Sequence, residues 1–263
     1  MSKLDFSNKV AIVTASCDGI GLQIALALAK NKARVYLAAR NPEKTQAIIN
    51  KYPELDLHYV HFDALNLDSV KSFVNKVNEI EGKIDILVNN FGPNLYDEDL
   101  DIENTDYDFF KKIVDSNMQT VYIATQEVIK VMKNQNTGSI VNISAITSKI
   151  PDLMWTAYNS AKAMVNILTT NTATQVGKYG IRCNAILPGV VYSDDILEWA
   201  DQEFLNIVLS HTPLNRLVDR EDVANTTMFL ASDLAKGITG QLIELASGYG
   251  QATPLYSILN SKQ

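Results

Sequence analysis

The sequence predicts an α/β fold in which one doubly wound sheet of seven parallel strands carries helices on both faces. Three observations predict it. Short, near-continuous apolar runs rich in valine, isoleucine and leucine recur along the chain, as in strands buried on both faces. Longer segments of helical character separate them in regular alternation. The connections are short, with no linker, repeat or low-complexity segment, so right-handed crossovers within a single sheet are expected.

Residues 9–15 form the first apolar, β-branched run. A tight turn follows at Ser16-Cys17-Asp18-Gly19-Ile20-Gly21, and residues 20–30, rich in alanine and leucine, read as a helix. Residues 34–39 are a second strand, and Pro42 suits the first turn of a helix over 42–51. A third strand at 57–62 and a helix at 67–81 lead to a fourth strand at 84–88, which ends in Asn89-Asn90-Phe91-Gly92. Residues 94–108 are turn-rich and hold Asp97, Glu98, Asp99, Asp101, Glu103, Asp106 and Asp108. The alternating oxygen ligands and central glycine of a calcium loop are missing there, so a solvated loop is expected. A long helix over 107–133 and a fifth strand at 139–144 precede a helix that continues to about residue 178. A sixth strand at 181–187, closed by Pro188-Gly189, helices at 194–210 and 220–231, and a seventh strand at 241–245 complete the alternation. Residues 247–263 show no clear period and read as an ordered tail packed on a neighbour or on the site.

Composition narrows the function. The 263 residues are 46% hydrophobic and 20% charged, enough for a large core without staples and for one domain spanning 1–263. A net charge of −7 with no basic block argues against nucleic acid as a partner. The first residues lack an apolar signal core, and no apolar run approaches the ~20 residues of a membrane span. Cys17 and Cys183 make neither a metal-ligand pattern nor a disulfide framework. A cytoplasmic protein with reduced thiols and no metal is expected.

Three stretches carry chemistry. The turn holding Gly19 and Gly21 sits after the first strand and at the start of a helix, where an open α/β sheet binds a dinucleotide. Glycine lets the backbone approach a pyrophosphate, and the helix start offers free N–H groups. The first glycine of the usual fingerprint is replaced by Ala15. At the end of the second strand stands Arg40, with no acid beside it to bond a ribose 2′-hydroxyl. An arginine there suits a 2′-phosphate and favours NADP(H) over NAD(H). Asp18 argues the other way if it points inward, and Arg40 alone also fits a plain surface arginine. Tyr158 and Lys162, four apart, share one helical face. An ammonium beside a phenol favours the phenolate, which would let the tyrosine exchange a proton near neutral pH. A half-buried tyrosine and a solvated lysine would leave the same pattern.

Taken together, residues 14–21, Asn89-Asn90-Phe91-Gly92, Asn117, Ser144, the Tyr158/Lys162 pair and Pro188-Gly189 resemble the short-chain dehydrogenase/reductase family across almost the whole chain. Within that family the chain is similar to clostridial-type 7α-hydroxysteroid dehydrogenases. The resembling stretches are residues 35–40, 83–90, 181–185, 213–216 and 253–257. Ala15 and Phe91 depart from the family pattern and thicken the backbone near the cofactor.

The resemblance implies a Rossmann-type sheet, NADP(H), a homotetramer, and reversible oxidation of the 7α-hydroxyl of a bile acid. It implies Tyr158 as general acid/base, Ser144 as donor to the substrate oxygen, and Lys162 on the nicotinamide ribose. Asn117 would hold a water that links Lys162 to solvent. Thr14, Ser16, Cys17, Asp18, Gly19, Ile20 and Gly21 would meet the pyrophosphate, with Asp63 near the adenine. Asn90 and Gly92 would wall the adenosine ribose. Pro188, Gly189, Val191 and Ser193 would meet the carboxamide. Ser144, Ile146 and Tyr158 would touch substrate, beside a wall from 151–155. A lid around 194–212 would carry Leu197, Trp199, Phe204 and Leu205. Another ring position, another ketone or a 3-oxoacyl substrate, or a cofactor-binding regulator without activity, are the competing readings.

Overall fold

In a computed structural model, residues 4–93, 95, 97–192, 196, 200–253 and 255–260 are described. Seven parallel strands form one sheet in the order β3-β2-β1-β4-β5-β6-β7. They are β1 Val10–Thr14, β2 Arg34–Ala39, β3 Leu57–His61, β4 Ile86–Asn89, β5 Gly138–Ile143, β6 Ile181–Pro188 and β7 Leu242–Leu245. The described helices are α1 Gly19–Lys30, α2 Pro42–Lys51, α3 Leu67–Glu81, α4 Tyr107–Gln135, α5 Thr156–Val176, α6 Gln202–Ser210, α7 Arg220–Ala231 and α8 Tyr256–Asn260. Among them none is long and apolar enough to cross a membrane.

Strand alternation divides the core in two. Ala11 and Val13, Val35 and Leu37, Ile86 and Val88, and Val141 and Ile143 face α1 and α7. Val10 and Ile12, Tyr36 and Ala38, Leu87 and Ile140 face α3, α4 and the far end of α5. The period of two sends neighbouring residues to opposite faces, and both faces are covered, so each strand reads as continuously apolar. Every residue of β1 is buried. The strand order reverses between β1 and β4, the place where open sheets of this kind leave a crevice beyond their carboxyl ends.

The expected elements are present, with local corrections. The fourth strand starts at Ile86 rather than residue 84, because the Ile84 N–H and C=O bond the Gln135 side chain at 2.9 and 3.0 Å. The other strand ends move by one residue at most. The helix expected over 194–210 is interrupted. Ala200 and Asp201 are not helical, and Asp201 caps α6 by accepting from Phe204 N at 2.8 Å. Positions 194, 195 and 197–199 of that expectation lie outside the described residues. The tail packs on its own chain: Gly248 lies against Pro213, and the Ser257 hydroxyl is 3.4 Å from His211 Nε2.

Candidate active site

The expected site residues gather along one edge of the sheet, at or just past the carboxyl ends of the strands. Thr14 ends β1, Arg40 follows β2, Asp63 follows β3, Asn90 follows β4, Ser144 follows β5, and Pro188 ends β6. Parallel pairing puts all these ends on one side of the molecule.

At the reversal point, β1 and β4 are tied together. Thr14 Oγ1 accepts from Asn90 N at 2.9 Å and from Phe91 N at 3.2 Å. Asn90 Nδ2 donates back to the carbonyls of Thr14 and Ala15 at 3.2 and 3.3 Å. Ala15 sits at φ 51°, the left-handed region that the missing glycine would occupy freely. Alanine therefore keeps the glycine's shape at some strain. A Cβ on Gly21 would lie 2.5 Å from the Ala15 carbonyl oxygen and 2.6 Å from Asn90 Nδ2, so only glycine fits there. Ser16 is fully buried, and its hydroxyl donates to the Val13 carbonyl at 2.8 Å. Burial, with Asp18 second, pushes the Cys17 thiol up, so it stays protonated at neutral pH. The Phe91 ring packs edge-on against Phe62 at 6.1 Å, which gives the family departure a place in the core cluster.

Asp18 meets Lys44 from the first turn of α2 at 2.7 Å. Asn41 holds that turn by accepting from Lys44 N at 2.9 Å. The negative charge that argued against a 2′-phosphate thus has its own cation, while Arg40 next door is exposed. Asp63 is oriented by Ser69 of α3, whose hydroxyl accepts from Asp63 N at 2.8 Å.

A second junction joins β4, α4 and α5. A Cβ on Gly92 would overlap Lys162 Nζ and lie 2.6 Å from Asn117 Oδ1. Asn117 is fully buried; its amide donates to Ile113 O at 3.0 Å, and Oδ1 makes no hydrogen bond to the chain. Lys162 is 2% exposed, donates to the Ile143 carbonyl at 3.1 Å, and stands 5.5 Å from the centre of the Tyr158 ring. Among the described residues no carboxylate pairs with it. Burial pushes its ammonium down to about 8. Ser144 is buried beside it, with its hydroxyl donating to the Lys162 carbonyl at 3.1 Å rather than into open space. A hydroxyl rotates readily, so that of Ser144 can exchange this partner for another. Gly189 packs on Ala246, which a Cβ would approach to 2.9 Å, and Val191 bridges to Val218. Ile146 is buried at the start of a short 3-10 turn, Ile146–Ser148, whereas Leu153 is 88% exposed on the expected substrate side.

These features fit a nicotinamide dinucleotide. Two glycine positions leave no room for a side chain, and a lone buried cation and an orphaned amide oxygen meet at one of them. Buried polar atoms of this kind normally have a water or ligand partner. The family described as enoyl-(acyl carrier protein) reductase matches residues 14–250. This chain belongs to the short-chain dehydrogenase/reductase family. It is accordingly an oxidoreductase of CH–OH groups, in a family that binds nicotinamide cofactors.

Among relatives of this short-chain dehydrogenase/reductase is a 7alpha-hydroxysteroid dehydrogenase of Paraclostridium sordellii, 44% identical over 260 residues, covering 98% of this chain and 97% of that protein. One of the same name from Clostridium sardiniense is 43% identical, covering 95% and 96%. The structure of a short-chain type dehydrogenase/reductase from Mycobacterium ulcerans is 28% identical, with TM-score 0.89 over 98% of this chain and 96% of that one.

Two features escaped the sequence. Lys44 is separated from Asp18 by a helix, a strand and two turns, and no local pattern announces the pair. Asp99 stands in the acidic stretch 94–108 that reads as a solvated loop, yet it is fully buried while Asp97, Glu98, Asp101, Glu103, Asp106 and Asp108 are exposed. No local pattern sets it apart from the acids beside it. Ser193, Leu197 and Trp199 lie outside the described residues; Phe204 and Leu205 are half-buried on α6.

Proposed function

We propose that the protein is an NADP(H)-dependent hydroxysteroid dehydrogenase that interconverts the 7α-hydroxyl and 7-oxo forms of bile acids. The observation that carries the chemistry is the junction at Gly92, where a buried lysine with no counter-ion among the described residues lies beside Tyr158. The substrate assignment leans on the 44% and 43% identical relatives, both 7alpha-hydroxysteroid dehydrogenases.

In oxidation, the Tyr158 oxygen takes the substrate hydroxyl proton. A cation beside a phenol favours its charged form, and Lys162 supplies that cation. The Ser144 hydroxyl turns from the Lys162 carbonyl toward the substrate oxygen and orients it. A nicotinamide held here would supply the hydride acceptor for the carbon that bore the hydroxyl. In reduction Tyr158 returns the proton. Asn117 Oδ1 suits a water that passes protons from Lys162 outward, because it is buried and takes no bond from the chain.

For the cofactor, the amides of 16–21 and the start of α1 suit the pyrophosphate, with Thr14 beside it, and Asn90 and Gly92 suit the wall of the adenosine ribose. Arg40 suits the 2′-phosphate, Asp63 the adenine, and Pro188, Gly189, Val191 and Ser193 the carboxamide. The reading is completed by one domain over 1–263, a lid around 194–212, and a cytoplasmic homotetramer.

Following NADPH formation across a panel of 3-, 7- and 12-hydroxylated bile acids, small alcohols and 3-hydroxyacyl thioesters tests the substrate. Turnover restricted to 7α-hydroxyls is expected. A higher rate on acyl thioesters would move the protein to fatty-acid chemistry. Tyr158→Phe should lower turnover at least about 10²-fold, the usual lower bound for a lost acid/base, while cofactor binding by fluorescence titration persists.

A further inference from the structure

The helix that carries Tyr158 has no cap of its own. Trp155, just before its first residue, lies at φ 63° and offers no side-chain acceptor to the helix. The first amides of such a helix are orphaned unless something else accepts from them. Here the acceptors come from the loop after β4. Asp99 accepts with Oδ1 from Ala157 N at 2.9 Å and with Oδ2 from Tyr158 N at 2.8 Å. The Asp99 carbonyl accepts from Trp155 N at 3.0 Å, and the Leu100 carbonyl from Thr156 N at 3.2 Å. The Thr156 hydroxyl adds a bond to the same Leu100 carbonyl at 3.0 Å. Four successive amides, 155 to 158, are thus taken by two residues.

A fully buried carboxylate needs compensation. Among the described residues no cation forms an ion pair with Asp99; its compensation is the two amides and the positive end of α5. Both of its oxygens are engaged by adjacent residues. Asparagine, with one acceptor, would turn a donor toward one of those amides.

We propose that Asp99 is a positioning residue for the reaction, a cap supplied from a distant loop that fixes the first turn of α5 and so the direction of Tyr158. This rests on the reading of Tyr158 as the acid/base. Lys162, one turn further along, is held separately. Its ammonium bonds the Ile143 carbonyl, and its own carbonyl takes the Ser144 hydroxyl. Loss of the cap therefore displaces the phenol and leaves the lysine seat intact. The loop that carries Asp99 begins at Gly92, so one segment both floors the lysine and aims the tyrosine.

The test compares Asp99→Asn and Asp99→Ser with wild type and Tyr158→Phe, measuring kcat, KM, cofactor Kd by fluorescence titration, and thermal melting. Asp99→Asn is expected to lower kcat about 30- to 100-fold, the scale of an ångström-sized misplacement of a reacting group. Cofactor Kd should stay within about twofold, since Lys162 keeps its contacts. Asp99→Ser, whose hydroxyl can accept without turning an amide donor toward α5, should recover part of the loss. A kcat within about threefold of wild type in Asp99→Asn would overturn the proposal. So would kcat and cofactor binding failing together, or loss of the fold in both variants, because each marks a purely structural role. Full turnover in Tyr158→Phe would instead remove the acid/base assignment itself.

Discussion

At Lys162 the competition is between burial and charge. Its ammonium is pushed from 10.5 to about 8 by desolvation alone. A lysine whose folded value lies below its unfolded value opposes folding while it must be charged. That opposition is fully present below about pH 8 and fades as pH rises toward 10.5. The gap corresponds to about 3 kcal/mol. Urea unfolding of the cofactor-free protein at pH 7.5 and pH 10 should show wild type gaining stability relative to Lys162→Met as pH rises. A parallel pH dependence in the two would mean that the lysine holds its proton as tightly folded as unfolded, so that burial does not shift it. The other decisive residues lie around the glycine turn. With Asp18 matched by Lys44, Arg40 is a positive charge beside the glycine turn that no acid among the described residues pairs. Arg40→Asp should raise the Kd for NADPH far more than that for NADH; equal effects would remove the 2′-phosphate role. Lys44→Met, which leaves Asp18 unmatched, should act in the same direction and more weakly.

Helices and strands place these groups through their ends. Asn66 caps α3 by accepting from Asp68 N and Ser69 N at 3.0 and 3.2 Å, and Ser69 in turn accepts from Asp63 N. Asn66→Ala should cost about 1 kcal/mol, read as a melting point lower by roughly 2–4 °C for a chain of this size. That cap was legible, since an Asn before an apolar-periodic segment is a helix start signal. The cap of α5 was not. Its acceptor comes from 58 residues earlier in the chain, and a window of local sequence holds no trace of it. The break before α6 was likewise hidden: residues 194–210 keep a helical pattern, but Asp201 takes the amide of Phe204 and starts a new helix there.

For the molecule as a whole, the reversal of strand order between β1 and β4 creates one crevice, and six strand ends deliver the site to it. Gly92 shows how little tolerance that assembly has. Gly92→Ala should displace the Lys162 ammonium and raise the cofactor Kd at least tenfold, while overpacking costs about 1–3 kcal/mol of stability. Unchanged affinity by fluorescence titration would show that lysine and loop can part without consequence. The sequence by itself determined the elements, the parallel sheet, the glycine turn and the chemical types at Asn117, Ser144, Tyr158 and Lys162. The elements, the sheet and the turn follow from periodicity and short-range pattern, which are local properties of the chain, whereas the four site residues stand out as a set only through the family resemblance. Only the tertiary structure decided the partners: Lys44 for Asp18, Gly92 under Lys162, Ser144 on the Lys162 carbonyl, and Asp99 at the head of α5. Each joins residues from separate elements, and burial, which turns an ordinary aspartate or lysine into a strongly constrained one, exists only once those elements have packed.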